Sequence, residues 1–436
     1  MEETEEWWNL RRIKIKGRAY MARCKPSEKQ LEFLSWELGV FFHFGIRTFY
    51  EGHRDWDGKV MPLSGFYPTK LDCESWIKTI CDAGFKYAIL TAKHHDGFAN
   101  WPSKYSKYHV GLTPWKDGRG DVVEEFVLAC GKYGVKVGLY YSPAEAEFKT
   151  REPKEYDDYF IAQISELLEN YGKIDYLWFD GNGAEGHEFD RSRIIKTIRG
   201  LQPGILIFNM WDPDVRWVGN EGGAAGVMNS NVVADVDFST LTSEKEKLDR
   251  VQFLPSESDF MMRYSNWFYS EYDTHKVKSL EELVGLYYHS VGCGSNFLVN
   301  IGPDRRGLLP EVDALRLLEF GREIAGRFSD PISTELKKEE NRVTITLEQE
   351  QLVNHLILAE DLTQGESIEE FMVWLKSERI EEPICVYIGK TVGYKRIITF
   401  PPIAAKELMV EVTKDDKVFS LKQAEVFYIK PKLEYY

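Results

Sequence analysis

Short apolar runs alternate with longer amphipathic stretches through the first three quarters of the chain. The short runs have the length of buried strands, and the stretches between several of them have the spacing of helices. A strand followed by a helix, repeated over about 330 residues, is typical of a parallel α/β sheet and favours a (β/α)8 barrel. The predicted strands are 40–44, 87–91, 135–141, 176–180, 205–209, 252–255 and 297–301, and the predicted helices are 121–133, 153–171, 189–200, 279–291 and 310–328.

After about residue 330 the pattern changes to alternating apolar and polar positions with turn signals at short intervals. This pattern predicts an all-β region, and we expect a C-terminal antiparallel β-sandwich. The fold class is therefore α/β, with a (β/α)8-like TIM barrel over 1–330 and a β-sandwich domain over 331–436. The predicted strands of the second domain are 342–347, 355–358, 385–388, 395–400, 407–412 and 424–429.

One carboxylate ends the most apolar of the predicted strands. Asp180 follows Tyr176-Leu177-Trp178-Phe179 and is itself followed by Gly181. The carboxyl ends of the strands in a parallel barrel carry the catalytic groups, so Asp180 is the first candidate for chemistry. An aspartate in this position can also cap the turn that follows, and this pattern alone does not choose between the two roles.

Other predicted strands also end in polar side chains, which would meet in one pocket if the barrel forms. Two carboxylates in such a pocket could cleave a glycosidic bond, whereas His43, His94, His95 and Asp180 could instead bind a metal ion that activates water. Adjacent histidines on a strand point to opposite faces, which favours the glycosidase. These strand ends carry His43, Lys93-His94-His95-Asp96, Tyr140-Tyr141-Ser142, Asn209 with Trp211, and Glu257 with Asp259.

Composition narrows the class of ligand. A formal charge of −15 and a pI near 5.3 argue against a nucleic-acid-binding surface, and no apolar run is long enough to span a bilayer. The 12 Trp and 23 Tyr residues suit a hydroxyl-rich ligand such as a sugar. Six scattered cysteines and a start without a leader pattern make the cytoplasm the expected compartment, although a secreted protein from which a signal peptide had been removed would have the same sequence.

Four motifs stand at these strand ends: His43-Phe44-Gly45, Lys93-His94-His95-Asp96-Gly97-Phe98, Gly138-Leu139-Tyr140-Tyr141-Ser142 and Trp178-Phe179-Asp180-Gly181. Together they resemble glycoside hydrolase family 29, the α-L-fucosidases. Two further segments, 213–221 and 296–303, resemble the branch of that family that acts on α-1,3/1,4-fucosyl linkages. The resemblance runs from about residue 35 to about residue 325.

The resemblance implies a barrel with a C-terminal β-sandwich, a retaining mechanism without a metal or cofactor, and Asp180 as the nucleophile. Fucose carries a methyl group on C5, so its pocket needs an apolar wall, for which Phe42, Phe44 and Phe268 are candidates. Trp56 follows Asp55 at a position where the family pattern leads us to expect Glu-Trp. The expected sugar-binding residues are His43, Trp56, His94, His95, Tyr141, Trp178, Arg216 and Glu257.

Glu221 is the expected acid/base, because it lies in the family-like segment 216–221 and precedes a glycine-rich stretch that suits a loop. Glu257, at the end of the sixth predicted strand, is the alternative. The expected substrate is a fucosylated oligosaccharide, with no nucleic-acid or membrane partner. A carbohydrate-binding barrel without catalysis and a metal-dependent barrel hydrolase remain the alternative functions.

Overall fold

The structure is a computed structural model that describes residues 24–52, 59–145, 151–181, 186–238, 245–415 and 419–430. Eight parallel strands form a nearly closed barrel in the order β5-β4-β3-β2-β1-β10-β9-β6, and a bridge between Phe208 and Val215 brings β5 next to β6. An antiparallel hairpin, β7 with β8, is inserted between β6 and β9. The strands are β1 Leu38–Phe42, β2 Tyr87–Lys93, β3 Lys136–Tyr141, β4 Tyr176–Phe179, β5 Leu206–Phe208, β6 Arg216–Trp217, β7 Val232–Asp237, β8 Lys245–Phe253, β9 Ser256–Met261 and β10 Ser295–Asn300.

Helices cover the outside of the barrel, where they bury the outward-facing residues of the strands. The helices are α1 Glu28–Trp36, α2 Cys73–Asp82, α3 Val122–Tyr133, α4 Pro153–Asn170, α5 Arg191–Leu201, α6 Leu280–His289 and α7 Glu311–Arg327. Single-turn 3₁₀ segments lie at Ile46–Phe49, Leu63–Gly65, Val110–Leu112, Trp115–Gly118, Glu271–Asp273 and Leu362–Gln364.

Alternation along each strand separates an inner from an outer core. On β1, Phe41 packs inside the barrel against Tyr140 and Trp178, whereas Phe42 packs outward against Trp76. Successive strand side chains point to opposite faces, so this alternation decides which residues can reach the barrel interior.

Helix α1 closes the end of the barrel at which the strands begin. Phe33 and Trp36 of α1 contact Tyr87, and Phe33 also contacts Tyr176. The side-chain amide of Asn296 donates to the Phe33 carbonyl oxygen at 2.8 Å. Among the described residues, α1 therefore covers this end of the barrel, and the end where the strands finish is the one at which barrel folds bind ligands.

The predicted barrel is confirmed, with one strand misplaced and one missed. The predicted strand 252–255 is wrong, because residues up to Phe253 belong to the hairpin and the barrel strand is Ser256–Met261. The barrel strand that was missed is β6, Arg216–Trp217, whose two residues are too few to show any periodicity in the sequence. The five predicted helices match α3 to α7 within two residues at each end, whereas α1 and α2 were not predicted.

The C-terminal region is all-β, as predicted. Its six antiparallel strands enclose one apolar cluster that includes residues from both halves of the long strand β12. The predicted strands 342–347 and 355–358 are two parts of β12, and 395–400 and 407–412 lie largely within β15. The strands are β11 Thr334–Lys338, β12 Arg342–Glu360, β13 Ile368–Lys376, β14 Ile384–Gly389, β15 Arg396–Asp415 and β16 Leu421–Phe427.

Buried polar contacts join this region to the barrel. Glu366 accepts hydrogen bonds from the Ser230 hydroxyl at 2.6 Å and from the Asn231 amide at 2.8 Å. The predicted boundary at residue 330 falls between α7 and β11, and the division into two domains there stays a prediction. Among the described residues, no helix combines the length and the apolar composition that crossing a membrane requires.

Candidate active site

A cavity at the open end of the barrel brings together three carboxylates and two indole rings. Asp180 follows β4 directly, Asp259 lies near the end of β9, and Glu221 lies on the segment after β6. All three line the cavity with Trp178 and Trp217. Because these residues come from three barrel strands and the segments that follow them, the cavity occupies the place where barrel enzymes carry their chemistry.

Tyr140 and His95 both contact Asp180 at this rim. The Tyr140 hydroxyl donates to its Oδ2 at 2.9 Å, and His95 Nε2 lies 3.3 Å from the same oxygen. The Asp180 side chain remains 27% exposed, so it is open to an incoming molecule while its orientation is fixed.

His43 lies in the inner layer next to this carboxylate. Its Nδ1 is 2.7 Å from Asn300 Oδ1, and the amide nitrogen of Asn300 donates to the Trp267 carbonyl oxygen at 2.7 Å. The amide oxygen of Asn300 must therefore accept, so His43 donates from Nδ1. Burial lowers the pKa of His43 to about 3, which keeps the ring neutral with Nε2 as an acceptor.

Aromatic rings surround His94 and His43. The His94 ring stacks on Tyr140 at 5.3 Å between centroids, and Phe268 meets His94 at 5.1 Å and His43 at 5.4 Å. Of the three phenylalanines proposed for an apolar wall, Phe268 alone lies here. Phe42 and Phe44 both pack outward against Trp76.

Tyr141 does not face the cavity, which corrects the sequence-based expectation. Its hydroxyl donates to Gln163 of α4 at 2.6 Å, and Lys93 Nζ lies 4.2 Å above its ring. The pleat of β3 turns Tyr141 outward and its neighbour Tyr140 inward, so Tyr140 occupies the position expected for Tyr141.

Trp178 lies at the cavity as predicted, and Glu257 lies beneath it. Glu257 is fully buried and accepts hydrogen bonds from Tyr87 at 2.7 Å, Trp178 at 2.8 Å and Tyr176 at 3.1 Å. Burial raises the pKa of Glu257 to about 7. Because its oxygens are used by these three donors inside the barrel, Glu257 is placed to support Trp178 and not to contact a sugar.

Asp259 lies two residues further along β9, one layer nearer the open end, and it also accepts a hydrogen bond from an indole ring. Its Oδ1 accepts a hydrogen bond from the Trp217 indole nitrogen at 2.6 Å. Burial raises the pKa of Asp259 well above its ordinary value, and the charge of Glu221 raises it further. In the sequence, Asp259 is a candidate only as a neighbour of Glu257, because the residues around them do not show which of the two carboxylates faces a cavity.

Glu221 is an exposed residue on a segment that is fixed to β9. Val218 N–H donates to the Glu257 carbonyl oxygen at 3.0 Å, and Gly222 forms an antiparallel bridge with Phe260. Gly223 adopts a φ of +72°, and a Cβ there would lie 2.4 Å from the Phe260 ring. The glycines after Glu221 therefore permit close packing against β9, which positions the carboxylate at the cavity.

Arg216 points away from the cavity, which corrects a second expectation. Its guanidinium donates to Asn229 Oδ1 at 2.5 Å and to the Ser230 carbonyl oxygen at 3.0 Å. Burial lowers the pKa of Arg216 to about 10, and the nearby charge of Glu366 opposes that shift. Arg216 thus helps to hold the segment that leads to the C-terminal region.

Two predictions need separate mention. Trp56 lies outside the residues that the structure describes, so its place in the pocket stays a prediction. Among the described residues, no group of three histidine, cysteine, aspartate or glutamate side chains could hold a metal ion. The metal-dependent alternative therefore gains no support from the arrangement of His43, His94, His95 and Asp180.

Comparison with known proteins agrees with this geometry. Residues 58–325 match the family model described as alpha-L-fucosidase. Alpha-L-fucosidase 1 of Arabidopsis thaliana is 31% identical over 441 residues, which cover 91% of this chain and 86% of the plant protein. The human plasma alpha-L-fucosidase is 26% identical over 57% of this chain and 52% of its own length.

A solved structure shares the fold over nearly the whole chain. The crystal structure of a glycoside hydrolase 29 family member from an unknown rumen bacterium superposes with a TM-score of 0.86 at 30% sequence identity. The similarity covers 94% of this chain and 79% of the bacterial chain. The match therefore includes both the barrel and the C-terminal strands.

Proposed function

Because this chain belongs to the α-L-fucosidase family, glycoside hydrolase family 29, we propose that it is a retaining exo-α-L-fucosidase. It hydrolyses terminal α-linked L-fucose from oligosaccharides or glycoconjugates, with Asp180 as the nucleophile and Glu221 as the acid/base. The observation that carries the proposal is the position of Asp180 at the rim of the barrel, in the same cavity as Glu221.

The reaction takes two displacements. Asp180 attacks C1 of the fucose, the bond between C1 and the glycosidic oxygen breaks, and Glu221 gives its proton to the departing oxygen. Glu221 then takes a proton from water, whose oxygen attacks C1 and releases Asp180 and fucose. Two inversions at C1 return the product in the α configuration.

The surroundings of the two carboxylates suit these different roles. Tyr140 donates to Asp180, which stabilises the ionised form that a nucleophile needs. Glu221 has the carboxyl group of Asp259 as a neighbour, and two nearby carboxyl groups do not both ionise easily. Burial and the charge of Glu221 raise the pKa of Asp259, so this carboxyl pair holds a proton on Asp259, next to the acid/base.

Sugar binding is assigned to the residues that line or adjoin the cavity. His43, His94, His95 and Trp178 supply polar atoms and flat faces next to Asp180, and Phe268 supplies the apolar wall for the C5 methyl group. Trp56 stays in this set on the family pattern alone. Glu257 acts only through Trp178.

The stereochemistry of the first product tests the retaining mechanism. Proton NMR during the first minutes of hydrolysis distinguishes α-L-fucose from β-L-fucose before the two forms interconvert. The proposal predicts the α form first. Initial release of the β form would mean a single displacement by water and would leave Asp180 with a different role.

A preference for α-1,3/1,4 linkages is the finer part of the proposal. It rests on the segments 213–221 and 296–303, which resemble those of that branch of the family. Within them, Glu221 faces the cavity, Asn300 orients His43 and Asn296 supports the closed end of the barrel. A panel of α-1,2-, α-1,3-, α-1,4- and α-1,6-linked fucosides tests the preference, and a faster rate on the 1,2 or 1,6 linkage would remove it.

We place the protein in the cytoplasm on the strength of its cysteines. The six cysteines in the sequence are all free, which is the usual state of cysteines in a reducing compartment. Fractionation of the producing cells, with the activity found in the soluble lysate or in the medium, tests this placement.

A further inference from the structure

A short series of hydrogen bonds ends on the histidine next to the candidate nucleophile. Ser142, just after β3, donates its hydroxyl proton to the Ala144 carbonyl oxygen at 2.5 Å. The same Ser142 oxygen lies 2.6 Å from His95 Nδ1. Ser142 is fully buried, so its hydroxyl group is shielded from bulk solvent.

These contacts fix which nitrogen of His95 carries hydrogen. A carbonyl oxygen can only accept, so the single proton of Ser142 is used by Ala144. The Ser142 oxygen must then accept from His95, which requires a proton on Nδ1. In a neutral ring, Nε2 is left with a lone pair.

In the neutral ring, that lone pair would face Asp180. Nε2 lies 3.3 Å from Asp180 Oδ2 and 3.5 Å from the Tyr140 oxygen, while Tyr140 donates its own proton to Asp180. Two acceptors at this distance form a site for a single hydroxyl donor. The sugar hydroxyl closest to a C1 atom under attack by Asp180 is the one on C2.

We propose that Ser142 is a positioning residue that holds His95 in the Nδ1–H tautomer, so that Nε2 accepts a hydrogen bond from the C2 hydroxyl of the bound sugar. This inference rests on the proposed function for the identity of the sugar. Without the Ser142 hydroxyl, a neutral His95 gains most by carrying its proton on Nε2 and donating it to Asp180. That bond would occupy the nucleophile and remove the acceptor for the sugar.

A second histidine of the site has the same arrangement. His43 donates from Nδ1 to Asn300, whose amide is oriented by Trp267, and the low pKa of His43 keeps its ring neutral. Two histidines therefore present Nε2 as an acceptor. A neutral sugar, whose hydroxyl groups can all donate, fits such a pair, whereas an anionic ligand would be repelled by the two lone pairs.

The tautomer can be measured directly and without any substrate. Long-range ¹H–¹⁵N spectra of protein labelled at histidine report which ring nitrogen carries hydrogen, and His95→Gln identifies the signals of His95. We expect hydrogen on Nδ1 in the unsubstituted protein and a shift to Nε2 in Ser142→Ala. Hydrogen on Nε2 in the unsubstituted protein, either alone or together with hydrogen on Nδ1, would overturn the inference, as would an unchanged Nδ1 signal in Ser142→Ala.

Kinetics with a 2-deoxyfucoside test the contact to the sugar. Ser142→Ala should lower kcat/KM about tenfold on an aryl fucoside and less than about twofold on the matching 2-deoxyfucoside, since the lost hydrogen bond involves only the C2 hydroxyl. Ser142→Thr, which keeps the hydroxyl, should restore most of the loss. Equal losses on both substrates would reduce Ser142 to a structural role and overturn the proposal.

A matched control separates a specific effect from the general loss of a buried hydroxyl. Ser258 is also fully buried, and its hydroxyl contacts Ser295 outside the cavity. Ser258→Ala should change neither the substrate ratio nor the His95 signals. If the unsubstituted protein releases no fucose, the proposed function fails, while the spectra still decide the part played by Ser142.

Discussion

The indole nitrogen of Trp178 donates a hydrogen bond to Glu257 at 2.8 Å, which ties a ring on the wall of the cavity to a carboxylate buried inside the barrel. The same ring stacks on Phe208 at 4.1 Å and on Tyr140 at 5.4 Å. Glu257 and these aromatic neighbours together fix the plane of Trp178. A rigid flat wall costs little conformational entropy when a sugar binds to it.

Glu257 should make stability depend on pH. Its pKa is about 7 in the folded protein, against 4.5 ordinarily, so the folded state keeps a proton that the unfolded state gives up. The stabilisation from this retained proton is fully present below about pH 4.5 and is lost as the pH rises through about 7. The loss amounts to about 3 kcal/mol of unfolding free energy. Urea unfolding at pH 5 and pH 8 should show this loss in the unsubstituted protein.

Glu257→Gln should not show the loss of unfolding free energy that Glu257 causes between pH 5 and pH 8. Other buried carboxyl groups, such as Glu360 with a pKa of about 7, are present in both proteins and cancel in the difference. The stability difference between the two proteins should therefore change by about 3 kcal/mol between pH 5 and pH 8. A difference that is constant with pH would mean that Glu257 does not hold a proton in the folded state.

Asp180→Ala should lower kcat by about 10³-fold or more with the fold intact, because no other residue supplies the covalent route. Azide should restore part of the turnover on an activated fucoside by taking the place of the carboxylate. Asp175→Ala removes an aspartate just before the same strand, at the closed end of the barrel, and serves as the control. A kcat within a few-fold of normal in Asp180→Ala would exclude the residue as nucleophile.

Glu221→Ala should lower kcat/KM most for substrates with poor leaving groups. A dinitrophenolate departs with little help, whereas a sugar alkoxide needs a proton, so kcat/KM should fall at least about 100-fold more on an oligosaccharide than on the dinitrophenyl fucoside. The variant should also lose the basic limb of the pH profile, which reports the acid.

Glu257→Gln provides the comparison for that prediction. It should lower kcat/KM on the oligosaccharide and on the dinitrophenyl fucoside by a similar factor, because Glu257 acts through the position of Trp178. The reverse pattern, with Glu257→Gln selective for the oligosaccharide, would transfer the acid role to Glu257. Asp259→Asn tests in the same way whether the third carboxylate of the cavity takes part.

Phe268→Ala should weaken the selection for a methyl group on C5. L-Galactosides differ from L-fucosides only by a hydroxyl group on C6, so the ratio of kcat/KM for the two aryl glycosides reports the apolar wall. A methyl contact contributes about 1–3 kcal/mol, and we expect the ratio to fall by about tenfold. Phe268→Leu, which keeps an apolar side chain, should retain most of the selection. An unchanged ratio in Phe268→Ala would place the methyl group elsewhere.

The sequence predicted the architecture well because the barrel strands are continuous apolar runs. It missed Arg216–Trp217, which is held by backbone bonds to its neighbours and is too short for any pattern. It also confused residues 252–253 of the hairpin with the strand that follows, since Ser256-Glu257-Ser258-Asp259 reads as a polar segment. Only the three-dimensional pairing with β10 identifies those residues as a barrel strand.

The candidate site was predicted where a residue follows a strand directly, as Asp180 does. Prediction failed where the pleat of a strand decides which side chain faces the cavity, since Tyr140 and Tyr141 are chemically identical and point in opposite directions. It also failed for Arg216 and Glu257, because their partners Asn229 and Tyr87 lie 13 and 170 residues away in the chain, beyond any periodic pattern. The tautomer set by Ser142 depends on distances that no spacing in the sequence encodes.

Trapping of the glycosyl-enzyme tests the central claim most directly. A 2-deoxy-2-fluoro-α-L-fucosyl fluoride has a good leaving group, and its fluorine slows the second displacement, so a covalent adduct should accumulate and be seen in the intact mass. The account predicts one fluorofucosyl group per chain, located by peptide mapping on Asp180 and absent from Asp180→Ala. An adduct on another carboxylate, or hydrolysis of fucosides by a protein that never forms an adduct, would contradict it.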